Sequence, residues 1–472
     1  MKGLNLDFIV ANTGGTLLSE MNSYFDKVAT DTRKDMQGQL FVALKGDAFD
    51  AHHFLEKAVE QGATGLLVHE VTNTVRELAE QVTVILVKDT LVALQDLARG
   101  VRFAQSAKVV GIAGSNGKTT SKEFTAGLIA QFRDVHYAKG SFNNHWGVPF
   151  TLLAQPENAE VSVVEMGMNH SGELTVLANI ACPDVVVCTY VGVEHIEFFG
   201  NLENIAAAEE EIYLHSPEAA VRIYNLDNQY TAKMHAQHTA RFPRSKAMTF
   251  SESRSANVSL RIQELSMQSM TVIGQIAGVT GTATVQVFGK HNLTNLMVAA
   301  SCALATGLTP EQIWTGLTAC KTNWGRNQLV HAASGALILF DAYNANPDSV
   351  KALVDNMPLV KSTGRKIGVF AEMRELGDLA AKLHEETGRF VAQGNLDSIW
   401  FYGPHHKEFC AGLRSAGFKG ELQSSADFDE SIAAGLAGGL GASDIALVKG
   451  SRGMQLERFV RLAKPVDFVE KE

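Results

Sequence analysis

The sequence predicts an α/β protein of three domains. These are a small N-terminal α/β domain over residues 1–107, a central parallel-sheet domain with a phosphate-binding loop and an antiparallel appendage over 108–322, and a C-terminal Rossmann-like domain over 323–472. Three observations carry this reading. The chain has 472 residues, too many for one ordinary core. Short apolar, β-branched runs alternate with stretches of helical spacing, which implies parallel sheets covered on both faces. One of these runs leads straight into a glycine-rich turn, Gly114-Ser115-Asn116-Gly117-Lys118-Thr119-Thr120.

In the first domain the strand candidates are Leu40-Phe41-Val42-Ala43-Leu44, Gly65-Leu66-Leu67-Val68 and Val82-Thr83-Val84-Ile85-Leu86-Val87. A helical run from Leu91 to Arg102 bridges into the second. That domain opens with the buried-strand pattern Lys108-Val109-Val110-Gly111-Ile112-Ala113, followed by the turn and a helix from Lys118 to Gln131. Val161-Ser162-Val163-Val164 and Val185-Val186-Val187-Cys188 are its further strands. Between Asn257 and Phe288 the pattern changes to β-branched runs, Thr271 to Ile276 and Thr282 to Phe288, which predict an antiparallel appendage. A helix from Leu293 to Thr306 closes the domain. In the third domain Ala336–Phe340, Lys366–Phe370, Ser398–Tyr402 and Ile445–Val448 read as strands separated by helices, a second doubly wound unit.

Composition narrows the function. Lys and Arg number 41 against 51 Asp and Glu, a formal charge of −10, which argues against a nucleic-acid binder. A small anionic substrate stays open, because a site needs only local positive charge. The five cysteines form no Cys-x-x-Cys pair, so free thiols in a reducing compartment are expected. No signal-peptide h-region follows Met1, and no apolar stretch is long enough to span a membrane; a cytoplasmic protein is expected.

The turn carries the first chemistry. Its glycines permit close backbone approach, so successive N–H groups and a helix N-terminus face phosphates. Lys118 supplies a point charge and Thr119 a hydroxyl for the magnesium that accompanies ATP. The strict pattern wants glycine where Ile112 stands, so this is a variant, with glycines at Gly111 and Gly114. Glu165 ends one strand run and His195 lies just past another. Strand C-termini of an open parallel sheet converge on one crevice, so both are candidates for a metal site beside the triphosphate. Alone, each reads better as a solvated loop carboxylate or a structural imidazole; their shared place at strand ends reverses that. Glu209-Glu210-Glu211, in a helical run, reads as a solvated face.

Taken together these residues resemble the Mur ligases, the ATP-dependent amide-forming enzymes of peptidoglycan precursor synthesis. The likeness runs through the phosphate loop, Glu165-Met166-Gly167-Met168-Asn169-His170, Glu194-His195-Ile196-Glu197, His291-Asn292-Leu293-Thr294-Asn295, Gly325-Arg326 and Lys449-Gly450-Ser451-Arg452. Asp341-Ala342-Tyr343-Asn344-Ala345-Asn346-Pro347 is similar to the form in the member that adds D-alanyl-D-alanine to UDP-N-acetylmuramoyl-tripeptide. The resemblance implies that the loop Gly114 to Thr120 holds ATP, that Thr119, Glu165 and His195 bind Mg2+, and that Asn292 and Asn295 meet adenine. It implies that Arg326 and Asp341 meet phosphate and ribose. Asp31, Thr32, Arg33, Lys45, Asp50 and His52 would form the UDP-sugar site, and Asn143, Asn144, Tyr343, Asn344 and Asn346 complete the substrate contacts. Two departures stand out. Glu209 occupies the place of the family's carbamylated lysine, which makes it a candidate magnesium ligand and catalytic group beside Lys118, Glu165 and His195. Ala371-Glu372-Met373 replaces the usual Gly-Asp-Met.

The implied reaction passes γ-phosphate to a peptide carboxylate, and the dipeptide amine then displaces it. A mobile C-terminal domain is expected to close over the nucleotide, and a monomer is expected. Rival readings are another ligase of this fold, such as the third-residue adder or folylpolyglutamate synthase, a P-loop kinase for a small alcohol, and a nucleotide-binding regulatory module.

Overall fold

The computed structural model describes residues 4–46, 49–138 and 140–469. The chain forms two compact units, Met1–Ile112 with Arg133–Val186 and Glu211–Val221, and Ala113–Phe132 with Val187–Glu210 and Arg222–Glu472. Mixed α/β structure with parallel sheets runs through both, as the sequence predicts. No helix among the described residues is long and apolar enough to cross a membrane.

The first unit holds a five-stranded sheet in the order Thr16–Ser19, Thr83–Leu86, Gly65–Val68, Leu40–Val42, Val28–Ala29. Only the first pairing is antiparallel. Its side chains alternate between two cores. Val42, Leu67 and Ile85 pack with Leu94, Leu97 and Val101, while Phe41, Leu66 and Val84 pack with Ala58, Val75 and Leu78. This period of two, with both faces covered, is why the strands are continuously apolar. The helix Thr90–Ala104 starts where Asp89 accepts from the Leu91 and Val92 amides. In the same unit Val161–Glu165 pairs in parallel with Val135–Tyr137 and with the strand Lys108–Ala113, in a register that sets Glu165 opposite Ile112.

The second unit carries parallel strands Val221–Asn225 and Ala247–Phe250, then the antiparallel meander Val258–Leu265, Met270–Ile276 and Val279–Val285. The expected appendage is therefore present. Its six-stranded sheet runs Gln328–His331, Leu337–Asp341, Ile445–Lys449, Lys366–Ala371, Ser398–Tyr402, Glu421–Ser425, parallel beyond the first pair. All five described cysteines are free thiols and four are buried.

The glutamate run corrects the expectation of a solvated face. It lies in the helix Leu202–Leu214, and each carboxylate has a separate partner. Glu209 is buried. Glu210 meets His238 Nε2 at 2.6 Å, and His238 Nδ1 lies 3.1 Å from the Tyr224 hydroxyl. Glu211 accepts from the Gly172 and Thr175 amides at 2.7 and 3.1 Å and from the Ser171 and Thr175 hydroxyls, so it caps the helix Glu173–Ala181. A carboxylate on orphan N–H groups at a helix start is worth about 1–2 kcal/mol. Glu211→Ala is thus expected to lower the unfolding free energy in urea by about that amount, and a loss under about 0.5 kcal/mol would count against the cap.

Candidate functional site

The strand Lys108–Ala113 delivers the chain into the phosphate loop, and the helix Lys118–Ile129 leaves it. Gly114 has φ +127°, and a Cβ there would stand 2.1 Å from Thr189 Oγ1 and 2.8 Å from the Thr189 nitrogen. Only glycine fits, because the next strand's backbone closes against the loop. Ser115 N–H donates to the Tyr190 carbonyl, and Ser115 Oγ accepts from the Gly192 amide. Thr189 Oγ1 donates to the Asn116 carbonyl. Gly117, at φ +83°, starts the helix with no side-chain cap, the arrangement that suits a helix N-terminus to phosphate.

Lys118 Nζ sits within this loop, donating to the Gly114 carbonyl at 2.6 Å and pairing with Glu194 at 2.8 Å. Glu194 also faces His195 Nε2 at 3.6 Å, and His195 Nδ1 meets Glu375 at 2.8 Å. His195 has φ +52°, a left-handed backbone that a non-glycine residue adopts only where its surroundings hold it there. Glu209 lies beside the loop, accepting from the Gly114 amide and, at 3.9 Å, from Cys188 Sγ. Burial pushes its carboxyl up to about 8; Lys118 opposes the rise and Glu194 adds to it.

The C-terminal part of the same unit reaches this loop. Arg326 donates to Thr119 Oγ1 at 2.9 Å and its guanidinium lies 4.3 Å above the Tyr343 ring. Asn346 caps the helix Pro347–Val354 and donates to Asn116 Oδ1 at 3.1 Å. Asp348 accepts from the Val193 amide. Asp341 pairs with Lys449 at 2.8 Å, and Lys449 also donates to the Asn344 carbonyl. Asn292 and Asn295 are buried and hydrogen-bonded to each other, with Asn295 Oδ1 taking the Ser121 hydroxyl. A Cβ on Gly117 would meet that same oxygen at 2.4 Å. Thr120 belongs to the first turn of the loop's helix.

The first unit positions the remaining candidates. Glu165 ends its strand buried, with Oε1 accepting from Asn143 Nδ2 at 2.9 Å. Asn144 Oδ1 accepts from the Trp146 and Gly147 amides and so shapes the turn into the helix Gly147–Leu153. Asp31 and Arg33, flanking Thr32, form an exposed pair that holds the Asp31 carboxyl down to about 2. Asp50 binds His52 at 2.9 Å and Lys45 at 3.4 Å, while His52 Nε2 accepts from the His69 amide.

Sequence reasoning missed Glu194, Glu375 and Asp348 as members of the loop's surroundings. Glu194 was within view, as the neighbour of His195. Glu375 lies just beyond the C-terminal end of the strand Lys366–Ala371, where the crevice rule for parallel sheets points.

Two family models match the chain, the Mur ligase middle domain over residues 112–303 and the Mur ligase glutamate ligase domain over 325–452. The UDP-N-acetylmuramoyl-tripeptide--D-alanyl-D-alanine ligase of Bacillus subtilis is 35% identical over 92% of this chain and 92% of its own length. Its Escherichia coli counterpart is 33% identical over 80% of this chain and 81% of its own. Among solved structures, MurF from Acinetobacter baumannii superposes with a TM-score of 0.88 at 26% identity, covering 98% of this chain and 99% of that one. MurF from Thermotoga maritima in complex with ADP gives 0.79 at 27% identity, covering 93% and 97%.

Proposed function

This chain belongs to the Mur ligase family, and on that premise we propose that it joins D-alanyl-D-alanine to UDP-N-acetylmuramoyl-tripeptide at the expense of ATP. The observation that carries the reading is the phosphate loop with Lys118 and Glu209 on one side and, on the other, Arg326 together with Asn346, which belongs to the segment similar to the D-alanyl-D-alanine-adding member's. The solved relative that holds ADP supports the nucleotide.

Amide formation from a carboxylate needs a better leaving group than hydroxide. Transfer of the γ-phosphoryl group to the tripeptide carboxylate gives an acyl phosphate and ADP. The dipeptide amine attacks its carbonyl carbon, and the tetrahedral intermediate expels phosphate. Carboxylate and triphosphate repel, so cations must lie between them. Lys118 and the loop amides supply part of that charge. Arg326, stacked on Tyr343, supplies more and exchanges Thr119 for phosphate oxygens when nucleotide enters.

Magnesium supplies the rest when bound. We assign Thr119, Glu165, His195 and Glu209 as its protein donors, a hard oxygen set with one imidazole. The environment of Glu209 fits a cation: its buried carboxyl lies beside the Gly114 amide and near Glu194, burial raises it to about 8, and a positive charge added there would draw it back toward the ionised form, as Lys118 already does in part. Glutamate then does what the family's carbamylated lysine does, with a shorter arm and no need of carbon dioxide. Asp31, Thr32, Arg33, Lys45, Asp50 and His52 take the UDP-sugar, and Asn143, Asn144, Tyr343 and Asn344 hold the peptide portion. Asn292 and Asn295 support the adenine side and Asp341 the ribose. We place the enzyme in the cytoplasm, as a monomer.

The test is phosphate release from ATP with UDP-N-acetylmuramoyl-tripeptide, with and without D-alanyl-D-alanine. Release is expected to need the dipeptide, and the UDP product to gain two alanyl residues. Release that ignores the dipeptide would overturn the reading.

A further inference from the structure

Glu372, one of the two departures from the family pattern, is buried in a setting the mechanism above does not use. It follows the strand Lys366–Ala371, its amide donating to the Tyr402 carbonyl and its carboxylate turned toward the next strand's end. Oε1 meets His405 Nδ1 at 2.6 Å, and Oε2 accepts from the His405 amide at 3.2 Å. Gly403 makes room for this longer acid: it has φ +142°, and a Cβ there would stand 2.7 Å from Glu372 Oε2. Behind the pair lies His384, fully buried, its ring stacked on His405 with centroids 4.9 Å apart.

The three side chains look at first like metal ligands, since their donor atoms lie within 4.8 Å of one another. The hydrogen bonds argue otherwise. His384 Nε2 accepts from the Met373 amide and Nδ1 donates to the Ala380 carbonyl, so neither nitrogen has a lone pair to give. His384 is a spacer. His405, with 29% of its side chain exposed, is the ring that faces outward. Its Nδ1 is held by Glu372, and no described residue hydrogen-bonds to its Nε2. Arg374, exposed, stands two residues beyond Glu372, with its amide on Ser451 Oγ.

The place of this pair defines what it can meet. His405 and Glu372 sit past the C-terminal ends of adjacent parallel strands, where open α/β sheets bind ligands. The segment that begins at Glu372 continues to Glu375, which touches His195 beside the phosphate loop. Three residues of backbone cover at most about 11 Å, and an extended dipeptide about 7 Å. A dipeptide whose amine lies beside His195 covers about 7 Å of that span, so the His405 side chain has to reach back to meet its far end. That end is a carboxylate.

We propose that His405, held by Glu372, receives the C-terminal carboxylate of the incoming dipeptide. This rests on the ligase reading above. Two carboxylates flank the imidazole, Glu372 on Nδ1 and the substrate on Nε2, and the ring offers an N–H to each. His405 is a specificity determinant and takes no part in the proton or phosphoryl steps.

The experiment measures kcat and KM for D-alanyl-D-alanine and for D-alanyl-D-alaninamide, with the wild-type chain and with His405→Ala and His405→Arg. In His405→Ala the KM for D-alanyl-D-alanine is expected to rise about tenfold, with kcat and the KM for ATP within about twofold of wild type. The amide, which lacks the negative charge, should bind wild type and His405→Ala alike. His405→Arg should recover most of the lost affinity, which a proton-accepting role would not allow. An unchanged dipeptide KM in His405→Ala, an equal rise for the amide, or a fall in kcat that arginine does not restore overturns the proposal. Failure of the ligase reading looks different: the wild type itself then shows no dipeptide dependence.

Discussion

Glu209→Gln is expected to lower dipeptide-dependent phosphate release by about 100-fold and, at the same time, to stabilise the ligand-free protein at pH 8 by on the order of 4 kcal/mol. The two effects have one cause. Burial raises the folded carboxyl from 4.5 to about 8, so between those values the unfolded chain is ionised while the folded chain keeps its proton. The stability this group contributes is fully present below pH 4.5 and is lost as pH rises through about 8, by about 1.4 kcal/mol per pH unit. Glutamine keeps the neutral form's shape and hydrogen-bonding oxygen and does not ionise, so its advantage should shrink to under about 1 kcal/mol at pH 5. Chemical unfolding at the two pH values reads this directly. With ATP and magnesium the order reverses, because the ionised carboxylate is then wanted: added nucleotide and metal should raise the melting temperature of wild type more than that of Glu209→Gln. A variant with wild-type magnesium dependence would remove Glu209 from the metal site, and one with no pH-dependent gain would contradict its burial.

Most of the strands were legible because they are buried on both faces. Val161–Glu165, Ser398–Tyr402 and Ile445–Lys449 are buried at every position, and a short run dominated by apolar residues is what such a strand shows. The strand Glu421–Ser425 escaped for the converse reason: it lies at the sheet edge, no residue of it is buried, and its sequence is polar. The phosphate loop was legible through Gly114 and Gly117, whose positive φ angles are a local demand written into residue type. The glutamates were misread because periodicity reports how many charges a helix carries and says nothing of what faces each one. His238, Gly114 and Gly172, the partners that give Glu210, Glu209 and Glu211 their three roles, come from distant parts of the chain. Glu375 was hidden likewise: its partner His195 lies 180 residues away, and only the folded sheet brings them to 2.8 Å.

Lys118→Ala is expected to lower phosphate release by at least about 100-fold and also to destabilise the ligand-free chain by about 3 kcal/mol. Before nucleotide binds, Lys118 is the partner of Glu194, and both side chains are nearly nine-tenths buried. Removing the cation leaves a carboxylate in a poorly solvated place, beside a second one on His195's far side and close to Glu209. It also withdraws the charge that holds the Glu209 carboxyl down, so metal affinity should fall with it. Glu194→Gln isolates the two roles. Added to Lys118→Ala, it removes the stranded charge, so unfolding free energy should return to within about 1 kcal/mol of wild type. Activity should not return, because the phosphates still lack their lysine. Recovery of both would mean that Lys118 serves the loop only through Glu194. Recovery of neither would mean that the loss of stability comes from the loop itself, whose carbonyl at Gly114 Lys118 also ties down.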